Sequence, residues 1–321
     1  YGENFIALWK EWESYLEVRY RRQLESIEAA GTTPPRLITD TGYLTSYPRF
    51  SSDGHSLYYI RSTAREKTAL MRASTADGTT EELCTVHDPG AISVTNDRVF
   101  LSDPEYHRSF SLYNDVFAFD GKKYGRITKA LRGESVDISR DGSVSVFVRH
   151  DRGRYSLVLS DGSFTAAEEI VTRGDVRIAH TRLSPDARKI VFTMKDRTGR
   201  SDLALYNRDL RAFTRLTNDP HSDICPTWHP DGRRVVFSSD RSGVYNLYEM
   251  DIARGASVRL TNLTGGAFHP DISPDGSSIA FASYGARGFD IALIPYPANG
   301  TEMTVSAPAP LSPDHFTAPD G

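Results

Sequence analysis

The chain has 321 residues, of which 39% are hydrophobic and 25% are charged, and this composition excludes the disordered and fibrous classes. The 38 Lys and Arg residues nearly balance the 42 Asp and Glu residues, and the formal charge of −4 gives no attraction to nucleic acid or anionic lipid. No apolar run approaches the roughly 20 residues that a membrane-spanning helix needs, so we expect no transmembrane segment.

The first predicted element is an amphipathic helix within residues 1–33. Its apolar residues recur at helical spacing and are Phe5, Leu8, Trp9, Trp12, Tyr15 and Leu16. We expect the helix to run to about Ala30, because Gly31 follows and two prolines at 34–35 prevent its continuation. The chain opens at Tyr1 with neither an initiator Met nor a signal segment, so we expect it to be a piece of a longer protein.

A repeated turn motif follows the helix. It occurs in full or nearly so at residues 48–54 (PRFSSDG), 136–142 (VDISRDG), 181–187 (TRLSPDA), 226–232 (PTWHPDG) and 270–276 (PDISPDG). Its aspartates at 53, 141, 186, 231 and 275 are separated by 88, 45, 45 and 44 residues. The first interval is two periods wide, which indicates a hidden unit. We place that unit at residues 92–101, where the turn is shortened and lacks Asp-Gly.

Each unit contains signals for four strands. Asp-Gly supplies the first turn, because Asp bonds to its own backbone and Gly accepts a positive φ. A dense apolar run such as residues 235–237 (VVF) follows, and its lack of polar alternation predicts a strand covered on both faces. A second glycine turn, a third strand and a short fourth strand ending in Leu-Thr complete the unit. Six such units predict an all-β fold, a six-bladed β-propeller of four-stranded blades over residues 34–300, preceded by the N-terminal α-helix and followed by a C-terminal tail, 301–321.

The sixth unit lacks a fourth strand of the Arg-Leu-Thr type. A matching segment occurs instead before the first unit, from Pro35 to Thr39 (PRLIT). We therefore expect this N-terminal strand to complete the last blade and so remove an open sheet edge. The segment from Thr301 to Val305 is a competing candidate for the same position.

These repeats resemble the TolB-type propeller repeat (WD40-like, PD40), whose hallmarks are a Pro-x-x-Ser-Pro-Asp-Gly turn, a strand with Phe, a Ser-x-Arg-x-Gly turn and a Leu-Thr ending. The fifth and sixth units match best, and the resemblance covers about residues 35–296. It implies the propeller fold. Because this blade serves both in periplasmic binding proteins and in propellers that shield peptidases, it implies a periplasmic or secreted location but does not select a function.

The N-terminal helix carries a second resemblance. The runs at residues 8–12 (LWKEW), 14–16 (SYL) and 19–20 (RY) are similar to the last helix of the metallopeptidase-like domain that precedes TolB-type propellers in some bacterial secreted proteins. The alternative interpretation is a helix packed on the side or bottom of the propeller. Both interpretations stay open at the level of sequence.

The motifs of several enzyme classes are absent from the sequence. A zinc peptidase needs two His one helical turn apart with a Glu between them, and the chain contains no His-Glu pair. There is no Gly-x-Ser-x-Gly elbow of a serine hydrolase, and no phosphate-binding glycine loop. We therefore predict no catalytic residue in this chain.

One constellation emerges from equivalent positions in the six units. The residues at the start of the innermost strands are Tyr47, Ala91, Ser135, His180, Cys225 and His269. Three neighbouring blades thus offer imidazole, thiol and imidazole, and Asp223 lies two residues before Cys225. We expect these strand starts to converge at one mouth of the central channel. His180, Cys225 and His269 are candidate ligands for a metal ion there, and the alternative is a water-filled mouth with no cofactor.

A second candidate site lies in the second unit. Asp103, Glu105, Tyr106 and His107 are predicted to occupy a long loop, because the repeat is interrupted before Phe110. Irregular loops with aromatic and charged residues are frequent contact sites for partners. We expect an interaction face here.

Three functions are consistent with these features. The leading hypothesis is a non-catalytic platform that binds a protein or peptide partner, and not nucleic acid. The second is a regulatory or substrate-gating propeller of a larger peptidase whose catalytic domain lies N-terminal to this chain. The third is a metal-dependent propeller of the lactonase or lyase type, which requires a divalent ion in the channel.

Overall fold

The computed structural model describes residues 4–108, 111–172, 176–296, 301–303, 309–310 and 316–317. Within these ranges the chain forms one helix, α1 (Phe5–Ala29), and 27 strands in six antiparallel sheets. The six-bladed propeller is therefore confirmed, and the unit hidden in the wide interval is its second blade.

The blades follow one another along the chain. Blade one consists of β2 (Leu44–Phe50), β3 (Ser56–Ser62), β4 (Ala69–Ser74) and β5 (Thr80–Thr85), and blade two of β6 (Ile92–Thr95), β7 (Arg98–His107), β8 (Ser111–Phe119) and β9 (Tyr124–Arg126). Blade three consists of β10 (Gly133–Ile138), β11 (Val144–Asp151), β12 (Arg154–Asp161) and β13 (Ala167–Thr172), and blade four of β14 (Arg177–Leu183), β15 (Lys189–Lys195), β16 (Ser201–Asn207) and β17 (Ala212–Arg215). Blade five consists of β18 (Asp223–Trp228), β19 (Arg234–Ser239), β20 (Asn246–Asp251) and β21 (Ser257–Arg259), and blade six of β22 (Gly266–Ile272), β23 (Ser278–Gly285), β24 (Gly288–Pro295) and the N-terminal β1 (Arg36–Leu37).

The apolar second strand of each blade is covered on both faces. In β19, Val235 and Phe237 pack in a cluster shared with blade four, whereas Val236 between them packs in a cluster shared with blade six. All three side chains are completely buried. Continuous apolar runs therefore arise because adjacent blades cover opposite faces of the same strand.

The repeated turn is held by its serine and aspartate. In blade six the Ser273 hydroxyl donates to Asp275 Oδ1 over 2.5 Å, and the same oxygen accepts from the Ser277 N–H over 3.0 Å. These hydrogen bonds, first the one from Ser273, lower the pKa of Asp275 to about 2. The motif is therefore a local turn device with no chemistry of its own.

The Leu-Thr ending joins the fourth strand to the third. In blade five the Thr261 hydroxyl donates to Asn246 Oδ1 over 3.0 Å and accepts from the Leu247 N–H over 2.8 Å. In blade six Thr39 makes the equivalent pair of bonds, to Asp290 Oδ1 over 2.8 Å and from the Ile291 N–H over 2.9 Å. A threonine from the start of the chain thus occupies the position that an internal threonine holds elsewhere.

The N-terminal strand completes the last blade as predicted, and we call this pairing the latch. Strand β1 pairs antiparallel with β24, with Arg36 opposite Leu293. The competing segment lies elsewhere, since β25 (Thr301–Met303) pairs with β21 on the outer edge of blade five. Two further short strands, β26 (Ala309–Pro310) and β27 (Phe316–Thr317), pair with the outer strands of blades four and three. The outer edge of blade six is occupied by β1, and these three short strands pair with blades five, four and three.

The helix prediction is confirmed, but most of its apolar stripe is exposed. Trp9 and Trp12 are 48% and 50% exposed, and in α1 only Ile27 is buried. The helix end is fastened by Asn262, whose Nδ2 donates to the carbonyls of Ile27 and Gly31 over 2.8 Å each. The interpretation of α1 as a helix packed on the side or bottom of the propeller therefore holds only at its C-terminal end, and the aromatic stripe before that end is exposed. None of the described helical residues forms a segment long and apolar enough to cross a membrane.

Candidate functional site

Five of the six innermost strands have a β-bulge at the equivalent positions predicted from the sequence, here called the column. Five column residues have a positive φ between 50° and 57°, namely Tyr47, Ser135, His180, Cys225 and His269. The pairing register shifts at each of these positions. A bulge re-aims side chains that regular pleating would send elsewhere, and here the six column residues line one small cavity in the channel. Non-glycine residues in this conformation are uncommon and concentrate at functional sites.

His180, Cys225 and His269 meet inside this cavity. Their ligand atoms all lie within 4.8 Å of one another, and Cys225 Sγ is 3.8 Å from His180 Nε2. The His180 Nδ1 is 3.2 Å from the Thr193 hydroxyl, and the Tyr47 ring lies 4.2 Å from the ring of His269. The sequence prediction that these strand starts converge agrees with the structure. The space at this predicted mouth is narrow: the cavity measures about 20 Å³, close to the space of one water molecule, and His180 and His269 are partly exposed.

Asp223 does not join this cluster. It is fully buried and receives two hydrogen bonds from Arg241 Nη2, over 2.8 and 3.0 Å. Its proximity in sequence to Cys225 was misleading, because it precedes the bulge and its carboxylate pairs within its own blade. Its role is structural.

Burial keeps the cluster uncharged at neutral pH. Burial, with the nearby Arg49 charge, lowers the pKa of His180 to about 4 and lowers the pKa of His269 well below its ordinary value. Burial raises the pKa of the Cys225 thiol to about 12. The imidazoles are therefore neutral, and the thiol carries its proton and is a poor nucleophile.

A ring of charged residues lies two positions after the column. Arg182 Nη2 is 2.8 Å from Asp271 and its Nη1 is 3.3 Å from Asp137, while Arg49 Nη1 is 3.8 Å from Asp271. The two carboxylates also accept backbone N–H groups from the following blades, Asp271 from Phe50 over 2.9 Å and Asp137 from Leu183 over 2.7 Å. Two positive and two negative side chains balance, and the ring ties neighbouring blades together.

Sequence reasoning missed this charged ring. Its signal was the alternation of Arg and Asp at one column of the repeat, in residues 48–50 (PRF), 136–138 (VDI), 181–183 (TRL) and 270–272 (PDI). Arg and Asp at such positions pair only if the six strands surround one axis.

A funnel of about 310 Å³ opens above the ring. The ring residues lie among its lining, together with hydroxyl groups of inner-strand residues such as Ser93 and Thr95. Its rim includes residues of the repeated turns, among them Arg140, which is exposed. The funnel therefore offers charged and hydrogen-bonding groups to a ligand that enters from the turn side.

The candidate residues of blade two lie in a strand. Asp103, Glu105, Tyr106 and His107 belong to β7, which forms a long hairpin with β8 in which His107 faces Ser111. The predicted loop is therefore wrong, because the interruption of the repeat lengthens two strands. Phe110 lies outside the described residues.

Only part of that set is available at the surface. Asp103 is completely buried and accepts from the Tyr124 hydroxyl over 2.7 Å and from the Asp88 N–H over 2.9 Å. Tyr106 is 66% exposed, near the end of the hairpin. Asp103 therefore supports the base of the hairpin, and an interaction face there would consist of the other three residues.

The chain is similar to known proteins in sequence and in structure. The sequence profile of the family described as TolB beta propeller domain matches residues 116–321, more than half of the chain. The Tol-Pal system protein TolB of Francisella tularensis is 39% identical over 82 residues, which cover 26% of this chain and 18% of that protein. The match thus spans less than a fifth of that curated relative.

Solved structures share the fold. The crystal structure of TolB from Acinetobacter baumannii has a TM-score of 0.60 at 21% identity, covering 80% of this chain and 67% of that one. An oligogalacturonate lyase in complex with manganese has a TM-score of 0.55 at 16% identity, covering 81% and 79%. At these identities both likenesses show the fold alone. Together with the six blades of the structure, the profile match shows that the chain belongs to the TolB β-propeller domain family.

Proposed function

We propose that this chain is a non-catalytic platform that binds a segment of a protein partner at the funnel of its channel. The observation that carries this proposal is the funnel itself, a concave space of about 310 Å³ on the side of the repeated turns. Its floor and walls present guanidinium, carboxylate and hydroxyl groups from neighbouring blades. Such groups suit an extended peptide, whose backbone needs both donors and acceptors.

The family gives a first partner to test. Relatives of this chain are named for the Tol-Pal system. We therefore propose a Pal protein from the same organism as the first candidate partner, and a periplasmic or secreted location for the chain. The funnel would hold the partner, and its paired charges would fix the register of contact.

Charge reversal at the funnel rim tests the proposal. Arg140 lies on the rim and is exposed, whereas Arg254 is exposed on an outer turn of blade five and is absent from the funnel lining. In titration calorimetry with purified Pal, Arg140→Glu should weaken binding by about tenfold or more, equal to about 1.4 kcal/mol. The matched variant Arg254→Glu should change the affinity by less than about twofold.

Two results would count against this function. One is equal weakening by both variants, which would place the contact outside the funnel. The other is no binding of Pal by the wild-type chain together with hydrolase activity in the same preparation.

The exposed helix favours a second candidate function. The aromatic stripe of α1, including Trp9 and Trp12, is uncovered over most of its length. Large exposed apolar surfaces mark interaction sites. A peptidase domain N-terminal to the helix would cover it, and the propeller would then gate substrate access to that domain.

The gating function predicts a difference between substrates. If the full-length gene product cleaves peptides, deletion of residues 34–300 should speed cleavage of folded proteins and leave that of short peptides unchanged. Equal effects on both substrates, or no peptidase activity in the full-length product, would exclude gating.

A further inference from the structure

The cluster of His180, Cys225 and His269 has no assigned role in partner binding. It lies in the small channel cavity, and none of its three residues lines the funnel. Each residue comes from a different one of three consecutive blades and offers one ligand atom, and all three residues line the cavity. Three convergent nitrogen and sulfur donors are the minimum protein ligand set of many metal sites.

The distances fit a tetrahedral metal ion. With bonds of about 2.0 Å to nitrogen and about 2.3 Å to sulfur, tetrahedral geometry separates the two donor atoms by about 3.5 Å. Cys225 Sγ and His180 Nε2 are 3.8 Å apart, and all three donors lie within 4.8 Å. Small side-chain rotations would bring them to bonding distance. The cavity of about 20 Å³ has room for one ion.

The neighbouring groups orient the donors for this purpose. The contact between His180 Nδ1 and the Thr193 hydroxyl, 3.2 Å long, leaves Nε2 directed at Cys225. This is the arrangement in which an outer partner fixes a ligating imidazole. His269 Nδ1 is buried and has no hydrogen-bond partner among the described residues. Buried polar atoms are normally paired, so this nitrogen points to a missing ligand.

The charges and donor types select the kind of ion. The ring next to the cavity is neutral in sum, since Arg49 and Arg182 balance Asp137 and Asp271. A bound cation would displace the proton of the Cys225 thiol to solvent, and the resulting thiolate would offset one positive charge of the cation, which limits the charge that must be buried. Thiolate and imidazole donors favour Zn²⁺ or copper, whereas Mn²⁺ prefers oxygen ligands.

We propose that His180, Cys225 and His269 bind one thiophilic d¹⁰ cation, Zn²⁺ or Cu⁺, inside the channel. The ion joins blades four, five and six at the axis. Its role is structural, because a cavity of about 20 Å³ leaves no space for a substrate beside the ion. The site would therefore stabilise the ring against opening.

The experiment compares the two cysteines of the chain. Cys225 lies in the cluster, and Cys84 is a partly buried cysteine of blade one. Tag-free protein is refolded in the presence of Zn²⁺, or anaerobically in the presence of Cu⁺, so that the ion does not have to enter a closed cavity. Unbound metal is then removed by dialysis. Bound metal is measured by mass spectrometry, and affinity by competition with a chromogenic chelator.

We expect one equivalent of metal in the wild type and in Cys84→Ser. Loss of outer partners of a metal site costs about 10- to 100-fold in affinity, so loss of the thiolate in Cys225→Ser should cost at least about 100-fold. The variant His269→Asn should show the same loss and provides a second variant if Cys225→Ser folds poorly. Cobalt-loaded wild type should show thiolate-to-metal charge-transfer absorption that Cys225→Ser lacks. The zinc and copper arms identify the ion by their relative affinities.

Three outcomes would overturn the proposal. One is metal content below one half equivalent after refolding with both ions. Another is affinity equal in the wild type and Cys225→Ser. The third is binding of Zn²⁺ or Cu⁺ with unchanged affinity in His269→Asn, which would show that the ion is held by other residues.

Discussion

Replacing Thr39 by valine removes the hydroxyl group that joins the first strand of the chain to the last blade. This hydroxyl donates to Asp290 Oδ1 over 2.8 Å and accepts from the Ile291 N–H over 2.9 Å. Thr39 is only 5% exposed, so water cannot replace these bonds without a rearrangement. Valine has nearly the same shape, so the change isolates the hydrogen bonds from the packing.

The expected cost follows from the two lost bonds. A hydrogen bond to a charged group contributes about 1.5 to 3 kcal/mol, and a buried N–H left without a partner costs about 1 to 3 kcal/mol. Asp290 keeps the Thr41 N–H, which donates to Oδ1 over 2.8 Å, so its carboxylate stays partly satisfied. We therefore expect Thr39→Val to lower the free energy of unfolding by about 2 to 4 kcal/mol. At about 2 to 3 °C for each kcal/mol, Tm should fall by roughly 4 to 12 °C.

Urea and thermal unfolding, followed by circular dichroism, measure this loss. Thr41→Val is the matched control, because the Thr41 side chain is exposed and its hydroxyl is 3.4 Å from Asp290, so we expect a change below about 0.5 kcal/mol. Thr261→Val, which removes the equivalent bonds inside blade five, should cost about as much as Thr39→Val. A loss below about 0.5 kcal/mol for Thr39→Val would refute the assignment of the latch to this threonine.

Three further predictions concern the turn, the charged ring and the inter-blade packing. Because the pKa of Asp275 is lowered to about 2, its stabilising contribution is complete above about pH 4 and is lost as the pH falls towards 2. Asp275→Asn should therefore reduce the drop in urea midpoint between about pH 5 and pH 3. An unchanged drop would contradict this prediction. Arg182→Met leaves the Asp271 carboxylate without its 2.8 Å partner and should lower the free energy of unfolding by about 2 to 4 kcal/mol in urea, whereas a loss under about 1 kcal/mol would show that the ring is not a structural tie. Trp228 is buried and its Nε1 donates to the Arg182 carbonyl over 3.0 Å. Trp228→Phe should leave only the two exposed helix tryptophans and shift the maximum of tryptophan fluorescence emission to longer wavelength. A shift to shorter wavelength would show that Trp228 is exposed in solution.

Local signals made much of the fold predictable. The Asp-Gly turn, the apolar run and the Leu-Thr ending each act within a few residues, so their recurrence indicates a blade without knowledge of its neighbours. The latch was predictable for the same reason, since a fourth strand was missing at one end and present at the other. The long hairpin of blade two was not predictable. The residues that extend its two strands do not follow the repeat, and an interruption of the repeat indicated a loop.

The candidate site was predictable only as a column of residues. Sequence spacing placed His180, Cys225 and His269 at equivalent positions of three blades. It also suggested Asp223, which the structure places in an ion pair with Arg241. A side chain in a strand changes faces with each residue, and a bulge changes that order again, so sequence distance did not indicate which groups share the cavity.

The sequence by itself determined the six-bladed propeller, its N-terminal latch and the amphipathic helix. The tertiary structure decided three other features: the closeness of the three donors, the pairing of the charged ring and the exposure of the helix stripe. The first two depend on ring closure, which brings residues of different blades to one axis, and the third depends on how much of the helix contacts the finished propeller. Local propensity acts within one blade and carries no information about these distances.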